Sequence, residues 1–341
     1  MAETKKSELL PKLAPCRYSF MTTLPETLLT QDVAEEASTS EYGVFKRRDD
    51  SHHAEFRIYD SNLTRNPTEF LAHMKEFNLN TVKVWDILMI YMTNKTHTRP
   101  YVRIPRVKLY HTLGWCKSYK TLRTTNKNDL KSWSRRTTIE RADRLMHSVI
   151  DVLANCTIAF NEKIRVPTSD KKSAKKTETQ HVEVHPFNKI ELTDRDLYVE
   201  FSQNFLDRTS AAPITYIPTD IFTLTGKSAT TYIMAKRMAE HYYQTKNQKT
   251  GRNNVLRAGT LCKYTELEHA DMSDCTRWRS ATTSPVKKLE NAMANLQKRE
   301  IITSWDYPAG RKWLNYEDWC ESTVRFEMPA SSHMYNPSAD I

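Results

Sequence analysis

The stretch SPVKKLENAMANLQKREIITSWDY, residues 284–307, decides the fold. Ser284 followed by Pro285 is typical of a helix start, because serine caps free amides and proline suits the first helical position. An apolar stripe follows in steps of 3, 4 and 3, formed by Val286, Leu289, Met293 and Leu296. The run IITSWDY then favours a strand, and a PAG turn joins it to KWLNYE. The sequence therefore predicts a helix followed by a β-hairpin.

Two further helices are predicted upstream of this stretch. Residues 228–245 place Met234, Met238 and Tyr242 in helical register, and residues 257–267 suit a short second helix. The order is then helix, short helix, longer helix and hairpin, which is the order of a winged helix-turn-helix.

The same order is predicted in the first half of the chain. A helix over 67–94 precedes a short one from about Arg106 to Leu113, and a third is predicted over 137–154. Thr137 and Glu140 have capping-box spacing, which predicts the start of the third helix. The similar hexapeptides WSRRTT (133–138) and WRSATT (278–283) lie at the predicted third helix of the first and second halves, respectively, just before its apolar stripe. We therefore predict an α+β fold with two tandem winged-helix-like domains.

The predicted domain organisation has four parts. Residues 1–60 mix Pro, Ser, Thr and charges without a sustained period, which favours a mobile N-terminal arm that orders near 54–60 (AEFRIYD). The first winged-helix domain is predicted over 61–210, the second over 211–325, and a C-terminal tail over 326–341. A chain of 341 residues is long enough for two cores of ordinary size.

The charge distribution favours a polyanionic partner. Formal net charge is +10, yet residues 1–60 hold eight Lys/Arg against eleven Asp/Glu. Residues 103–136 hold ten basic residues and one acidic residue, Asp129. A solvated basic surface would also explain such a run, but a basic face on each predicted third helix favours double-stranded DNA as the partner.

The start of a recognition helix faces the major groove in proteins of this kind. In the first domain this predicts DNA contacts from Arg135, Arg136, Thr137, Thr138 and Arg141. In the second domain the equivalent residues are Arg279, Thr282, Thr283, Lys287, Lys288 and Asn291. The predicted hairpins supply further cations, which are Lys171, Lys172, Lys175, Lys176, Arg311 and Lys312.

Signals for enzyme chemistry are weak, so we predict no catalytic residue, no cofactor and no metal. TLTGKS (223–228) lacks the first glycine of a phosphate-binding loop. The six cysteines form no C-x-x-C pair, which argues against a zinc site. His181, His185, Tyr242 and Tyr243 are residue types of a metal-dependent nickase, but three residues separate the histidines. The sequence contains no run of about 18 apolar residues, so we predict no membrane span.

The chain resembles the replication initiators of iteron-type bacterial plasmids, over roughly residues 67–320. The resemblance rests on KIELTDRDLYVEFSQNFL (189–206), ITYIPTDIFTLTGKSATTYIMAKRMAEHYY (214–243), RAGTLCKYTEL (257–267) and residues 284–307. It implies two winged-helix domains in one chain that bind directly repeated origin sites and open the duplex locally.

The resemblance also implies recruitment of host helicase and polymerase machinery, and dimers that repress their own gene. The expected location is the bacterial cytoplasm, on DNA. Two alternatives stay open, which are a rolling-circle-type nicking and joining initiator and a plain transcriptional regulator. Cleavage of single-stranded origin DNA would identify the first alternative, and failure to maintain a plasmid would identify the second.

Overall fold

The computed structural model describes residues 10–30, 42–46, 54–59, 67–94, 100–116, 130–166, 176–224, 229–245, 254–263 and 284–329. It divides the chain into two compact units. We call Arg17–Val107 with Ser118–Pro213 the N-terminal unit. The C-terminal unit comprises Met1–Cys16, Lys108–Lys117 and Ile214–Ile341. Both units combine helices with small antiparallel sheets, so the fold is α+β.

The first described elements are strand β1 (Leu13–Arg17) and the short helices α1 (Phe20–Thr23) and α2 (Thr27–Thr30), which a 3₁₀ turn links. Strands β2 (Tyr42–Lys46) and β3 (Glu55–Tyr59) follow, and then the long helix α3 (Pro67–Asn94). Strand β4 (Tyr101–Pro105) leads directly into α4 (Arg106–Thr112). The next helix, α5 (Leu130–Ala154), is the longest after α3.

Four strands and one helix complete the N-terminal unit. They are β5 (Cys156–Val166), β6 (Lys176–Val184), β7 (Phe187–Leu192), β8 (Asp196–Phe201) and α6 (Gln203–Ser210). One sheet has the order β4-β8-β7, and a second sheet has the order β2-β3-β5-β6. The hairpin that completes the β4 sheet is therefore β7–β8, whereas β5 and β6, which flank residues 167–175 in the sequence, belong to a separate sheet.

The interpretation of residues 1–60 as a mobile arm that orders near 54–60 is wrong for residues 10–30 and 42–46. Strand β3 pairs with β5, with Phe56 opposite Ile158, and β2 pairs with β3. The indole Nε1 of Trp85 donates a 2.8 Å hydrogen bond to the carbonyl of Thr22. These contacts join residues that are distant in the sequence. A search for local periodicity in residues 1–60 therefore could not detect them.

Trp85 lies at the centre of the N-terminal unit's core. Its side chain is fully buried on α3 and makes edge contacts with the rings of Phe56, Phe187 and Phe205, at centroid distances of 6.3, 5.5 and 5.8 Å. These three rings come from β3, β7 and α6, so one side chain joins both sheets and the last helix of the unit. Aromatic contacts of this geometry stabilise beyond the area that they bury.

The C-terminal unit starts with β9 (Ile214–Pro218), which pairs with β1, and a 3₁₀ turn over Thr219–Thr223. The helices α7 (Ala229–Thr245), α8 (Ala258–Lys263), α9 (Pro285–Lys298) and α10 (Tyr316–Glu321) follow. Strands β10 (Val255–Arg257), β11 (Ser304–Asp306) and β12 (Thr323–Glu327) form a sheet of order β10-β12-β11.

The two three-stranded sheets share one topology. In each sheet, the first strand leads into a short helix and pairs with the last strand, as β4 does with β8 and β10 with β12. The last strand also pairs with the strand just before it in the sheet's sequence order, as β8 does with β7 and β12 with β11. One difference is that most of α4, within Lys108–Lys117, is grouped with the C-terminal unit.

The predicted hairpin partner KWLNYE (312–317) is wrong. The partner of β11 is β12, with Trp305 opposite Phe326, and Tyr316 already begins α10. Asn315 caps α10, since its side chain accepts a 2.7 Å hydrogen bond from the amide of Asp318. Because Asn315 caps a helix, the last residues of KWLNYE form the start of α10 instead of a strand.

Candidate nucleic-acid interface

The start of helix α9 is fixed by its first residues. The Ser284 hydroxyl accepts a 3.2 Å hydrogen bond from the amide of Lys287, and Pro285 occupies the first turn. Ser284 has the extended backbone of an N-cap, with φ −62° and ψ 144°. The predicted helix start is therefore confirmed.

Helix α9 has one buried and one exposed face. The buried face comprises Val286, Leu289, Ala292, Met293 and Leu296, so the predicted stripe is confirmed. The exposed positions are Lys287, Lys288, Asn291, Ala294, Gln297 and Lys298. Lys298 stands eleven residues after Lys287, which returns it to the same side of the helix about 16 Å further along. Sequence reasoning missed Lys298, although this spacing was present in the sequence.

The exposed face of α9 is electrostatically positive. Glu290 is the only carboxylate between Pro285 and Lys298. Its side chain is 15% exposed, and one of its oxygens lies 3.4 Å from a guanidinium nitrogen of Arg311. The one acidic group of the helix is therefore offset by a cation, and Lys287, Lys288 and Lys298 determine the sign of the face.

Arg311 and Lys312 belong to the segment Tyr307–Asn315, which we call the β11–α10 loop. Both side chains are exposed, as expected for a cationic loop. The ion pair with Glu290 brings this loop alongside α9. The structure therefore brings together five of the predicted contact residues, which are Lys287, Lys288, Asn291, Arg311 and Lys312.

Aromatic side chains hold the β11–α10 loop in place. The rings of Tyr307 and Trp313 meet edge-on at a centroid distance of 4.7 Å, and the Arg311 guanidinium lies 6.0 Å from the centre of the Tyr307 ring. The Trp319 indole donates a 3.4 Å hydrogen bond to the Tyr307 hydroxyl. Burial raises the pKa of Tyr307 to about 12, so this phenol stays neutral near pH 7.

Fewer of the predicted contact side chains are described in the N-terminal unit. Arg141 is exposed on α5, as is the nearby Arg144. Asp143, between them in sequence, lies 3.4 Å from Arg106. Arg135, Arg136, Thr137 and Thr138 lie within α5, but their side chains are outside the described part of the structure.

The predicted helix start at Thr137 is wrong, because α5 begins at Leu130. No Gly or Pro occurs between 130 and 137, so nothing in the local backbone stops the helix from starting earlier. The predicted contact residues of this unit therefore stand in the second to fourth turns of the helix instead of its first.

Other predicted contact residues lie outside the described residues. These are Lys171, Lys172, Lys175, Arg279, Thr282 and Thr283. Lys176 is the first residue of β6, and nothing is described of its side chain.

The residues of the nickase alternative are distributed over both units. His181 contacts Asn161 at 3.3 Å and Glu183 at 3.5 Å, and His185 contacts Thr157 at 3.3 Å. Tyr242 and Tyr243 lie on α7 of the C-terminal unit, with ring centroids 5.0 Å apart. Within the described ranges, no group of three His, Cys, Asp or Glu side chains is placed to hold a metal ion.

Sequence reasoning missed a cluster of aromatic and cationic side chains on the β4-β8-β7 sheet. The rings of Tyr101 and Tyr198 stack at 6.0 Å, and Arg103 and Lys189 each lie 5.7 Å from the Tyr198 ring. The strand register places Tyr198 opposite Arg103, which no local sequence signal could show. Glu191 lies 2.8 Å from Lys189 and offsets one of the two positive charges of the cluster.

The chain matches no protein-family model and no curated protein sequence. Among the described helices, none combines the length and the apolar character that a membrane span requires.

Proposed function

We propose that this chain is a non-enzymatic protein that binds specific double-stranded DNA sequences through two winged-helix modules. The observation that carries the proposal is the exposed face of α9. It presents Lys287, Lys288 and Asn291 next to the cations of the β11–α10 loop, while the helix's only carboxylate contacts Arg311. Lysine contacts phosphates, and asparagine pairs with an adenine edge in the major groove.

The shared topology of the two three-stranded sheets supports the two-module part of the proposal. In a winged helix the helix before the hairpin enters the major groove and the hairpin loop contacts the adjacent backbone. By their order in the chain, we assign these two roles to helix α9 and the β11–α10 loop in the C-terminal unit, and to α5 and the β7–β8 turn in the N-terminal unit.

The biological role that we propose is replication initiation at a plasmid origin in the bacterial cytoplasm. The protein would bind repeated origin sites, open the duplex and recruit host helicase and polymerase machinery. The sequence resemblance to iteron-type initiators supports this role, and the basic exposed surfaces are compatible with it. Homodimers on the promoter of its own gene are part of the same proposal.

Footprinting of the full-length protein on the DNA that surrounds its own gene tests the proposal. We expect protection of spaced, directly repeated sites, and loss of that protection in the Lys287→Ala/Asn291→Ala variant. Absence of any protected site, or metal-dependent cleavage of single-stranded DNA from the region, would contradict it. A plasmid maintenance assay with the same DNA separates the initiator from a regulator that only represses transcription.

A further inference from the structure

Leu314 is the most exposed large hydrophobic side chain of the described residues, at 92% of its full accessibility. A leucine left in water forgoes the stabilisation that burial would provide. The neighbouring Trp313 is buried, so the chain at this point is not simply a polar loop. Leu314 is therefore an accessible apolar side chain that a partner surface can bury.

The backbone on both sides of Leu314 is fixed. Trp313 packs on Tyr307 before it, and Asn315 caps α10 after it. The amide of Leu314 itself donates a 3.0 Å hydrogen bond to the Asp318 carboxylate. An apolar side chain on a backbone that is already fixed loses less conformational freedom when it enters a partner than one on a mobile loop, and this favours binding.

The surroundings of Leu314 favour DNA as that partner. Arg311 and Lys312 are exposed cations just before it, and the Arg311–Glu290 contact brings the loop alongside the basic helix α9. Glu317 and Asp318 follow in the first turn of α10, where carboxylates complement the helix dipole, and Asp318 also holds the Leu314 amide.

We propose that Leu314 is an apolar wedge that inserts between base steps from the minor groove when α9 occupies the adjacent major groove. Apolar side chains flanked by cations kink and unstack duplexes in this way in architectural DNA-binding proteins. Such a wedge would lower the cost of opening the duplex locally. This inference rests on the proposed DNA binding of the C-terminal unit and adds a second contact to it.

The test uses the full-length protein and a duplex of about 16 bp with one central TA step, because such steps unstack easily. The adenine of that step is replaced by 2-aminopurine, whose fluorescence rises on unstacking. We expect the wild-type protein to raise the fluorescence. Leu314→Ala should abolish the rise and weaken binding about tenfold, while the salt dependence of binding stays unchanged.

Two controls accompany the variant. Ile214→Ala removes a second exposed aliphatic side chain of the described residues, 50% exposed at the start of β9, and should behave as wild type. Leu314→Met keeps an apolar side chain and should retain the fluorescence rise. Thermal unfolding of Leu314→Ala should match the wild type, because an exposed side chain contributes little to the core.

The possible results separate the wedge from the proposed function. If the wild type binds and Leu314→Ala gives the same fluorescence rise, the wedge is rejected and DNA binding stands. If Leu314→Ala changes only self-association in sedimentation experiments, Leu314 is a protein contact and the wedge is rejected. If the wild type does not bind the duplex at low salt, the proposed function fails, and the wedge fails with it.

Discussion

The guanidinium of Arg311 lies 3.4 Å from the carboxylate of Glu290, and this contact joins the β11–α10 loop to helix α9. The contact has two effects on a DNA-binding surface. It offsets the only negative charge of the helix, and it positions the cationic loop beside the exposed lysines. Because Arg311 is 63% exposed, solvent screens the pair and its direct contribution to stability is small.

Arg311→Ala should therefore weaken DNA binding more than Lys312→Ala, although each variant removes one positive charge. The additional loss arises because Glu290 is left without its cation beside the phosphates. Adding Glu290→Gln to Arg311→Ala should restore part of the affinity. Fluorescence anisotropy with a labelled duplex measures all three variants, and equal losses for Arg311→Ala and Lys312→Ala would contradict the role given to the ion pair.

Lys287→Ala and Asn291→Ala should change sequence preference and leave stability nearly unchanged. A base-reading contact is worth about 1–3 kcal/mol of discrimination, whereas an exposed substitution shifts the free energy of unfolding by about 0.5 kcal/mol or less. Leu289→Ala is the contrasting variant, because Leu289 is fully buried on the opposite face. It should lower the free energy of unfolding by about 2–5 kcal/mol through a cavity. Selection of binding sites from a random library measures the preference, and an unchanged preference would place the recognition helix elsewhere.

The buried ion pair between Arg237 and Glu240 on α7 should stabilise the folded protein. A guanidinium nitrogen of Arg237 lies 2.9 Å from a carboxylate oxygen of Glu240, and the two side chains are only 7% and 4% exposed. Glu240→Ala should lower the free energy of unfolding by about 3–5 kcal/mol, because it leaves a buried guanidinium without this carboxylate. The exposed pair Arg257–Glu321 provides the control, and Glu321→Ala should cost about 1 kcal/mol or less. Equal costs in urea unfolding would contradict the importance of burial.

Alkaline pH should destabilise the protein through its buried tyrosines. Burial raises the pKa values of Tyr91, Tyr243 and Tyr307 from 10.0 to about 12. A raised folded-state pKa means that the folded chain holds the phenol proton more tightly, so this contribution is complete below pH 10 and is lost as pH rises towards 12. Urea unfolding at pH 9, 10 and 11 should show a falling free energy of unfolding above pH 10. A constant value across this range would contradict the buried state of these phenols.

Local sequence patterns predicted helices better than strand pairing. Ser284, Pro285 and the apolar stripe of α9 act through neighbouring residues, and the structure confirms them. The predictions for the arm and for KWLNYE failed because β1 pairs with β9 and β11 with β12, across intervening segments that carry no register signal. For the same reason, the lysines of α9 could be predicted from sequence, but the Arg311–Glu290 contact could not.

The central claim is that the basic exposed surfaces bind DNA, and the salt dependence of binding tests it most directly. We measure the affinity of the full-length protein for a random-sequence duplex of about 30 bp from about 50 to 300 mM salt. Neutralisation of about six phosphates predicts a slope near −5 in log affinity against log salt, and Lys287→Ala/Lys288→Ala should reduce it to near −3. A wild-type slope shallower than about −2, or a slope that the double variant leaves unchanged, would contradict the claim.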